Sequence, residues 1–236
     1  MPAKPETWLQ GSIKGHRRLE QILSGLTDEL ARRPSLLPDW TIGHLVTHLA
    51  RNADANCGMA EGAQRGDIAP MYPGGMAQRE SDIATGQGRP AAELLADLTA
   101  AHQRLERAWS STPDAVWTTG LSRTFGGIRS IAFTVSMRWR EVEVHLADLG
   151  LTELGSPDWD GLSSAYVDTE WIEMTAGLAR RVPEGMAILL IPGDRPSRVY
   201  GTGDQLVQVR ARPGRILQWL MGRGGQPDWP QLSPWS

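Results

Sequence analysis

The sequence predicts a mainly α fold with a smaller α+β part: an N-terminal four-helix bundle followed by a C-terminal α+β domain. Three observations carry this expectation. Four segments before Gly150 repeat apolar residues at helical spacing. A single Pro/Gly-rich break, Ala69-Pro70-Met71-Tyr72-Pro73-Gly74-Gly75, is long enough for a crossover connection within a bundle. Beyond Gly150 the texture changes to short apolar runs separated by turn residues. The division predicts domains at residues 1–152 and 153–236.

The first helix is expected over about Glu6 to Leu26, with Trp8, Ile13, Leu19, Ile22, Leu23 and Leu26 near one face. The second follows Pro38-Asp39-Trp40-Thr41, where Asp39 or Thr41 can cap, and runs through Ile42, Leu45, Val46 and Leu49 towards Gly62. After the Pro/Gly break and a polar stretch, Arg89-Pro90 opens the third, because proline costs nothing in a first turn. Leu94, Leu95, Leu98, Leu105 and Trp109 form its stripe. The fourth spans about Ile128 to Leu149 and stops at Gly150, a natural glycine terminator. Then Gly155-Ser156-Pro157-Asp158 reads as a linker, Leu162–Arg181 as a helix, and Ala187–Ile191, Val199–Tyr200 and Leu206–Arg210 as short strands. Pro213 starts a last helix ending at Gly222, and the tail from Gln226 to Ser236 reads as packed coil.

Composition narrows the function classes. The chain has 236 residues, 40% hydrophobic and 22% charged, which supplies a packed core and excludes a disordered polymer. The formal charge of −3 argues against nucleic acid as a partner. No run approaches the length of a membrane span, and the opening MPAKPETWLQ lacks an apolar segment behind its lysine, so a cytoplasmic protein with no membrane partner is expected. The one cysteine, Cys57, cannot make an internal disulfide. A monomer or weak dimer is expected.

The chemistry concentrates in Arg138-Trp139-Arg140-Glu141-Val142-Glu143-Val144-His145-Leu146-Ala147-Asp148. Glu141 and His145 stand one turn apart, about 40° around a helix, and can address one ion, whereas Glu143 points elsewhere. Thr134, Arg138, Glu141, His145 and Asp148 form a polar stripe that faces water or lines an interior site. The second helix offers His44 and His48. His48 shares the buried side of Leu45 and Leu49, but the two histidines can also chelate as an i,i+4 pair, and spacing leaves that choice open. Cys57 is about half a turn out of phase with His48 and reads as a small buried residue. His16 and His102 have no acidic or histidine neighbour at helical spacing, so surface or capping roles are expected for both. Two histidines and a glutamate from facing helices suit one zinc per chain with an open fourth position; iron or nickel accepts the same donors.

Leu37-Pro38-Asp39-Trp40-Thr41 followed by His44-Leu45-Val46-Thr47-His48-Leu49-Ala50-Arg51-Asn52 resembles the second helix of the DinB-like metal-binding bundles. Met137 to Gly150 resembles the fourth helix of one branch, the mycothiol-dependent maleylpyruvate isomerase family. Pro70-Met71-Tyr72, Arg79-Glu80-Ser81-Asp82-Ile83 and Gly222-Arg223-Gly224 are similar to further segments of that branch, in the same order. The resemblance implies a zinc site at His48, Glu141 and His145 and mycothiol or another low-molecular-weight thiol as cofactor. It implies cis–trans isomerisation of maleylpyruvate, a small dicarboxylate, to fumarylpyruvate in gentisate breakdown. Arg79 and Arg223 match arginines that serve substrate or activity, with Arg138 in reserve; guanidinium groups suit carboxylates. A thiolate that adds to the alkene, permits rotation and leaves again accounts for the reaction, and zinc would favour the thiolate or polarise a substrate oxygen. The alternatives are a zinc-dependent thiol S-transferase or hydrolase on another substrate, and a non-enzymatic metal-dependent binding or sensor protein.

Overall fold

Residues 4–234 are described by a computed structural model, in which the chain forms two compact units, one ending at Ser156 and the other starting at Pro157. The first three residues of the opening segment and the last two of the tail lie outside the described residues.

In the first unit the elements are α1 (Glu6–Leu23), α2 (Asp28–Arg32), α3 (Ile42–Gln64), α4 (Gly75–Gly86), α5 (Ala91–Ser110), α6 (Asp114–Thr119), β1 (Leu121–Thr124), β2 (Gly127–Ser130) and α7 (Ile131–Asp148). The long helices close a ring: α3 packs on α5 and α7, and α1 packs on α7 and α5. Leu19, Leu45, Leu49, Leu98, Leu105 and Leu146 are among the fully buried side chains inside it. At about 25 cal/mol per Å² of apolar surface, burial of such leucines drives the association of the four stripes.

Two local departures from the sequence reading have physical causes. The fourth helix begins at Ile131, not Ile128, because Gly127 (φ 97°) turns the chain into a hairpin pairing Leu121–Thr124 with Gly127–Ser130. Ser130 then caps α7 by accepting from the Phe133 amide at 3.2 Å. The polar stretch before Arg89 holds a helix of its own, α4. Only Ile83 and Gly86 of it are buried, so it carries no apolar stripe to read. It lies against α3 at glycine contacts. A Cβ built on Gly43 would sit 2.2 Å from the Gln87 carbonyl oxygen, and one on Gly86 would sit 2.5 Å from Thr47 Cγ2.

In the second unit are α8 (Ser164–Ala176), β3 (Met186–Ile191), β4 (Arg198–Gly201), β5 (Gln205–Arg210) and α9 (Pro213–Leu220). The expected helix to Arg181 stops at Gly177 and resumes as a single 3-10 turn, Leu178–Arg180. The sheet order is β4-β3-β5, with β3 antiparallel to β4 and parallel to β5. That places the most apolar strand, Met186–Ile191, at the centre. The tail is coil as far as it is described, held where Trp219 Nε1 donates to the Pro230 carbonyl at 2.9 Å. Among the described residues no helix is long and apolar enough to cross a membrane.

Candidate metal centre

The loop before α3 sets up the site. Asp39 adopts φ 63°, a left-handed conformation that aspartate tolerates better than most residues. Thr41 then caps α3, accepting from the His44 amide, while His44 Nδ1 accepts from the Thr41 amide at 3.1 Å. The cap occupies the ring of His44. One turn further, His48 is 4% exposed and faces α7. Spacing alone left the choice between His44 and His48 open; the capping box separates them.

On α7, Glu141 and His145 meet His48. His48 Nε2 lies 2.8 Å from Glu141 Oε2, and His145 Nε2 lies 3.5 Å from the same oxygen. The imidazole centroids are 5.1 Å apart with the planes at 87°. One ligand atom from each residue can be chosen so that all lie within 4.8 Å of one another. Tetrahedral zinc with nitrogen and oxygen donors needs separations of about 3.3 Å between donors, so this set can hold such an ion with little movement. His145 is oriented from behind: its Nδ1 donates to Asp148 Oδ2 at 2.9 Å, so Nε2 faces inward and is the nitrogen that would ligate an ion. Glu143 turns away, accepting from Trp139 Nε1 at 3.3 Å. Cys57, on α3, is buried, and burial beside Glu61 pushes its thiol up to about 11.

The electrostatics distinguish the two imidazoles. Burial pulls His48 down to about 4 despite its bond to Glu141, so it is neutral at pH 7. Burial also opposes charge on His145, but hydrogen bonds to Asp148 and Glu141 prevail and raise it above its ordinary value. Burial would raise Glu141, yet hydrogen bonds from His145 and His48 hold it well below the usual carboxylate range. The carboxylate therefore stands ionised between two rings.

Arg79, on α4, reaches this cluster. Its Nη2 donates to His48 Nδ1 at 3.2 Å, and its guanidinium lies 5.7 Å from the Trp40 ring centroid. A His48 ring offering Nε2 to a cation carries its proton on Nδ1, so this contact belongs to the metal-free tautomer, and the guanidinium becomes available when the tautomer changes. Trp40 also meets His48 edge-on at 5.4 Å. Tyr72, from the Pro/Gly-rich loop, is buried beside Arg79. Arg223 belongs to the second unit. It is half-buried in the turn after α9, with its amide donating to the Gln218 carbonyl at 2.9 Å and its carbonyl accepting from Gln218 Nε2 at 3.0 Å.

Behind the cluster lies a buried polar layer that helical spacing did not disclose. Arg138 is 0% exposed. Its Nη1 donates to the Leu49 carbonyl at 3.0 Å and to Asn52 Oδ1 at 2.8 Å, and its Nε donates to His16 Nε2 at 3.2 Å. The surface or capping roles expected for His16 and His102 are incorrect: both are 0% exposed and stack with centroids 3.9 Å apart. Their acidic partners come from other helices. His16 Nδ1 donates to Glu106 at 2.9 Å, and His102 Nδ1 to Glu20 at 2.7 Å.

Comparison with known proteins agrees with this geometry. Residues 14–150 match the family profile described as the mycothiol maleylpyruvate isomerase N-terminal domain. The chain belongs to the mycothiol maleylpyruvate isomerase family. The matched span contains His48, Arg79, Glu141 and His145; Arg223 lies outside it. Two solved structures of the mycothiol-dependent maleylpyruvate isomerase superpose on the whole chain. One has a TM-score of 0.84, and the other, a histidine-to-alanine mutant, 0.83. Each is 25% identical and is covered over 98% of its length. A comparison with curated proteins gives no match.

Proposed function

We propose that this protein is a thiol-dependent cis–trans isomerase of maleylpyruvate or a closely similar unsaturated dicarboxylate, working at one divalent ion, zinc, held by His48, Glu141 and His145. Three things support the reading: membership of the family, the full-length likeness to the mycothiol-dependent maleylpyruvate isomerase, and the convergence of two imidazoles and a carboxylate within 4.8 Å. The convergence is the observation that carries the metal assignment. When bound, the ion and mycothiol supply a sulfur nucleophile at neutral pH and a reversible addition that makes the double bond rotatable.

The chain's own residues supply the rest. Neutral His48 can offer an Nε2 lone pair by a change of tautomer, with no net loss of a proton at pH 7. Asp148 fixes the His145 ring, so that Nε2 faces the shared point. Arg79, a step away from His48 Nδ1, is the anchor for one substrate carboxylate, which it can bind with two parallel hydrogen bonds. Trp40 and Tyr72 line Arg79 and His48 with ring surface that keeps water from the reacting alkene. Arg223, in a C-terminal domain taken as residues 153–236, is assigned the same anchoring chemistry for a carboxylate, and the metal-binding bundle is taken as residues 1–152.

The test is the loss of maleylpyruvate absorbance in the presence and absence of mycothiol. Turnover with mycothiol and none without it is expected. Absence of turnover with mycothiol, glutathione and other cellular thiols, in protein carrying its metal, overturns the isomerase reading.

A further inference from the structure

We infer that Arg138 is a positioning residue that bolts the two ligand-bearing helices together and so sets the metal affinity of the His48–Glu141–His145 cluster. The inference rests on the metal reading given above. Arg138 sits one turn before Glu141 on α7, and its three described hydrogen bonds all leave that helix. Two of them reach α3, at the Leu49 carbonyl next to His48 and at Asn52 one turn beyond it. The third reaches His16 on α1, which is itself tied to Glu106 of α5. One planar group thus spans the ring of helices at the level of the ligands.

The chemistry of the contact argues for placement rather than filling. An apolar side chain of similar volume would occupy this space without taking a charge out of water, and buried charges are commonly replaceable in that way without loss of stability. It could not fix the axial register of α3 against α7. The Leu49 carbonyl is in mid-helix, where its oxygen already accepts the helix's own bond, so Arg138 takes a second lone pair at a defined angle. The guanidinium is rigid and forked, so a slide of either helix breaks its bonds. The ligand nitrogens and oxygen need placement to within a few tenths of an ångström, which is finer than leucine packing alone imposes. The remaining nitrogen, Nη2, has no protein acceptor, and the strongest attraction on the group comes from the Glu141 carboxylate.

The experiment titrates Co²⁺ into metal-free wild-type, Arg138→Met, Arg138→Lys and Asn52→Ala chains, following the visible d–d absorption, with urea midpoints as the measure of folding. Arg138→Met is expected to weaken Co²⁺ binding about 10–100-fold and to change the band shape. Arg138→Lys, which can keep one of the bonds to α3, should recover part of the affinity, and Asn52→Ala should lose less than Arg138→Met. Wild-type affinity and band shape in a folded Arg138→Met chain would overturn the inference. Should that variant not fold, Asn52→Ala decides, and unchanged affinity there overturns it equally. A wild-type chain that takes up no Co²⁺ removes the metal reading and this inference together. Failure of the turnover assay alone leaves the bolt standing.

Discussion

The bundle buries two histidine pairs, and they are built for opposite ends. His16 and His102 lie nearly parallel, 10° between planes, and each Nδ1 is spent on a separate glutamate. Their rings share a face and no common point. His48 and His145 stand at 87°, and their Nε2 atoms converge on one oxygen of one glutamate. Both pairs are buried and both have carboxylate neighbours, so neither burial nor composition separates them. The direction of the ring nitrogens does. A stack whose Nδ1 atoms are each spent on a different glutamate is structural, whereas a perpendicular pair converging on a shared carboxylate can receive a cation.

The contrast can be broken at its strongest point first. Purified protein is expected to carry about one metal per chain. His48→Ala, Glu141→Ala and His145→Ala should each bring the content close to none by elemental analysis, while His102→Phe keeps its metal. Wild-type content in all three ligand variants would place the ion elsewhere. Next in size is Asp148→Asn, which leaves the ring of His145 in place but weakens its orienting partner. Metal affinity should fall about 10–100-fold in competition with a chelator, with helix content unchanged.

The stacked pair should report through stability instead. Burial holds His102 down to about 4, against 6.5 for the free group, and lowers His16 as well. The unfolded chain therefore takes up protons that the folded chain refuses. Stability is intact above pH 6.5 and is lost as pH falls from there towards 4, by about 3 kcal/mol for a shift of this size. Urea unfolding of metal-free protein across that window measures it, and His102→Phe should flatten the dependence. A steep fall retained in that variant would assign it to other groups, His48 first. The smallest effect is expected at Cys57. With its thiol pushed up to about 11, it is not a source of thiolate, so Cys57→Ala should leave thiol-dependent turnover at wild-type level.

The two pairs also differ in how far they could be read in advance. Glu141 and His145 are four apart on one helix, and the phase of His48 among Leu45 and Leu49 favoured it, but spacing left His44 open and the full ligand set came from the resemblance to the family. The glutamates of the stack are not local: Glu106 is paired with His16, and Glu20 with His102, across two different helices of the ring. No spacing rule reaches a partner 90 or 82 residues away. The same limit hid the partners of Arg138, which was legible as part of a polar stripe and as a reserve anchor for the substrate. The helices with apolar stripes were read close to their true ends. The helix carrying Arg79 has two buried residues and was visible only through its resemblance to the family. The hairpin before α7 consists of strands of four residues, too short for alternation to declare itself.

The glycines between α3 and α4 deserve a mechanical reading. With Gly43 against the Gln87 carbonyl and Gly86 against Thr47, the two helices touch almost backbone to backbone at one end of α4. Arg79 sits most of two turns away along the same helix, so a single added methyl at the crossing would act like a wedge under a lever. A Gly43→Ala chain should accordingly behave as an arginine mutant with its arginine intact, binding the dicarboxylate poorly while its metal stays in place.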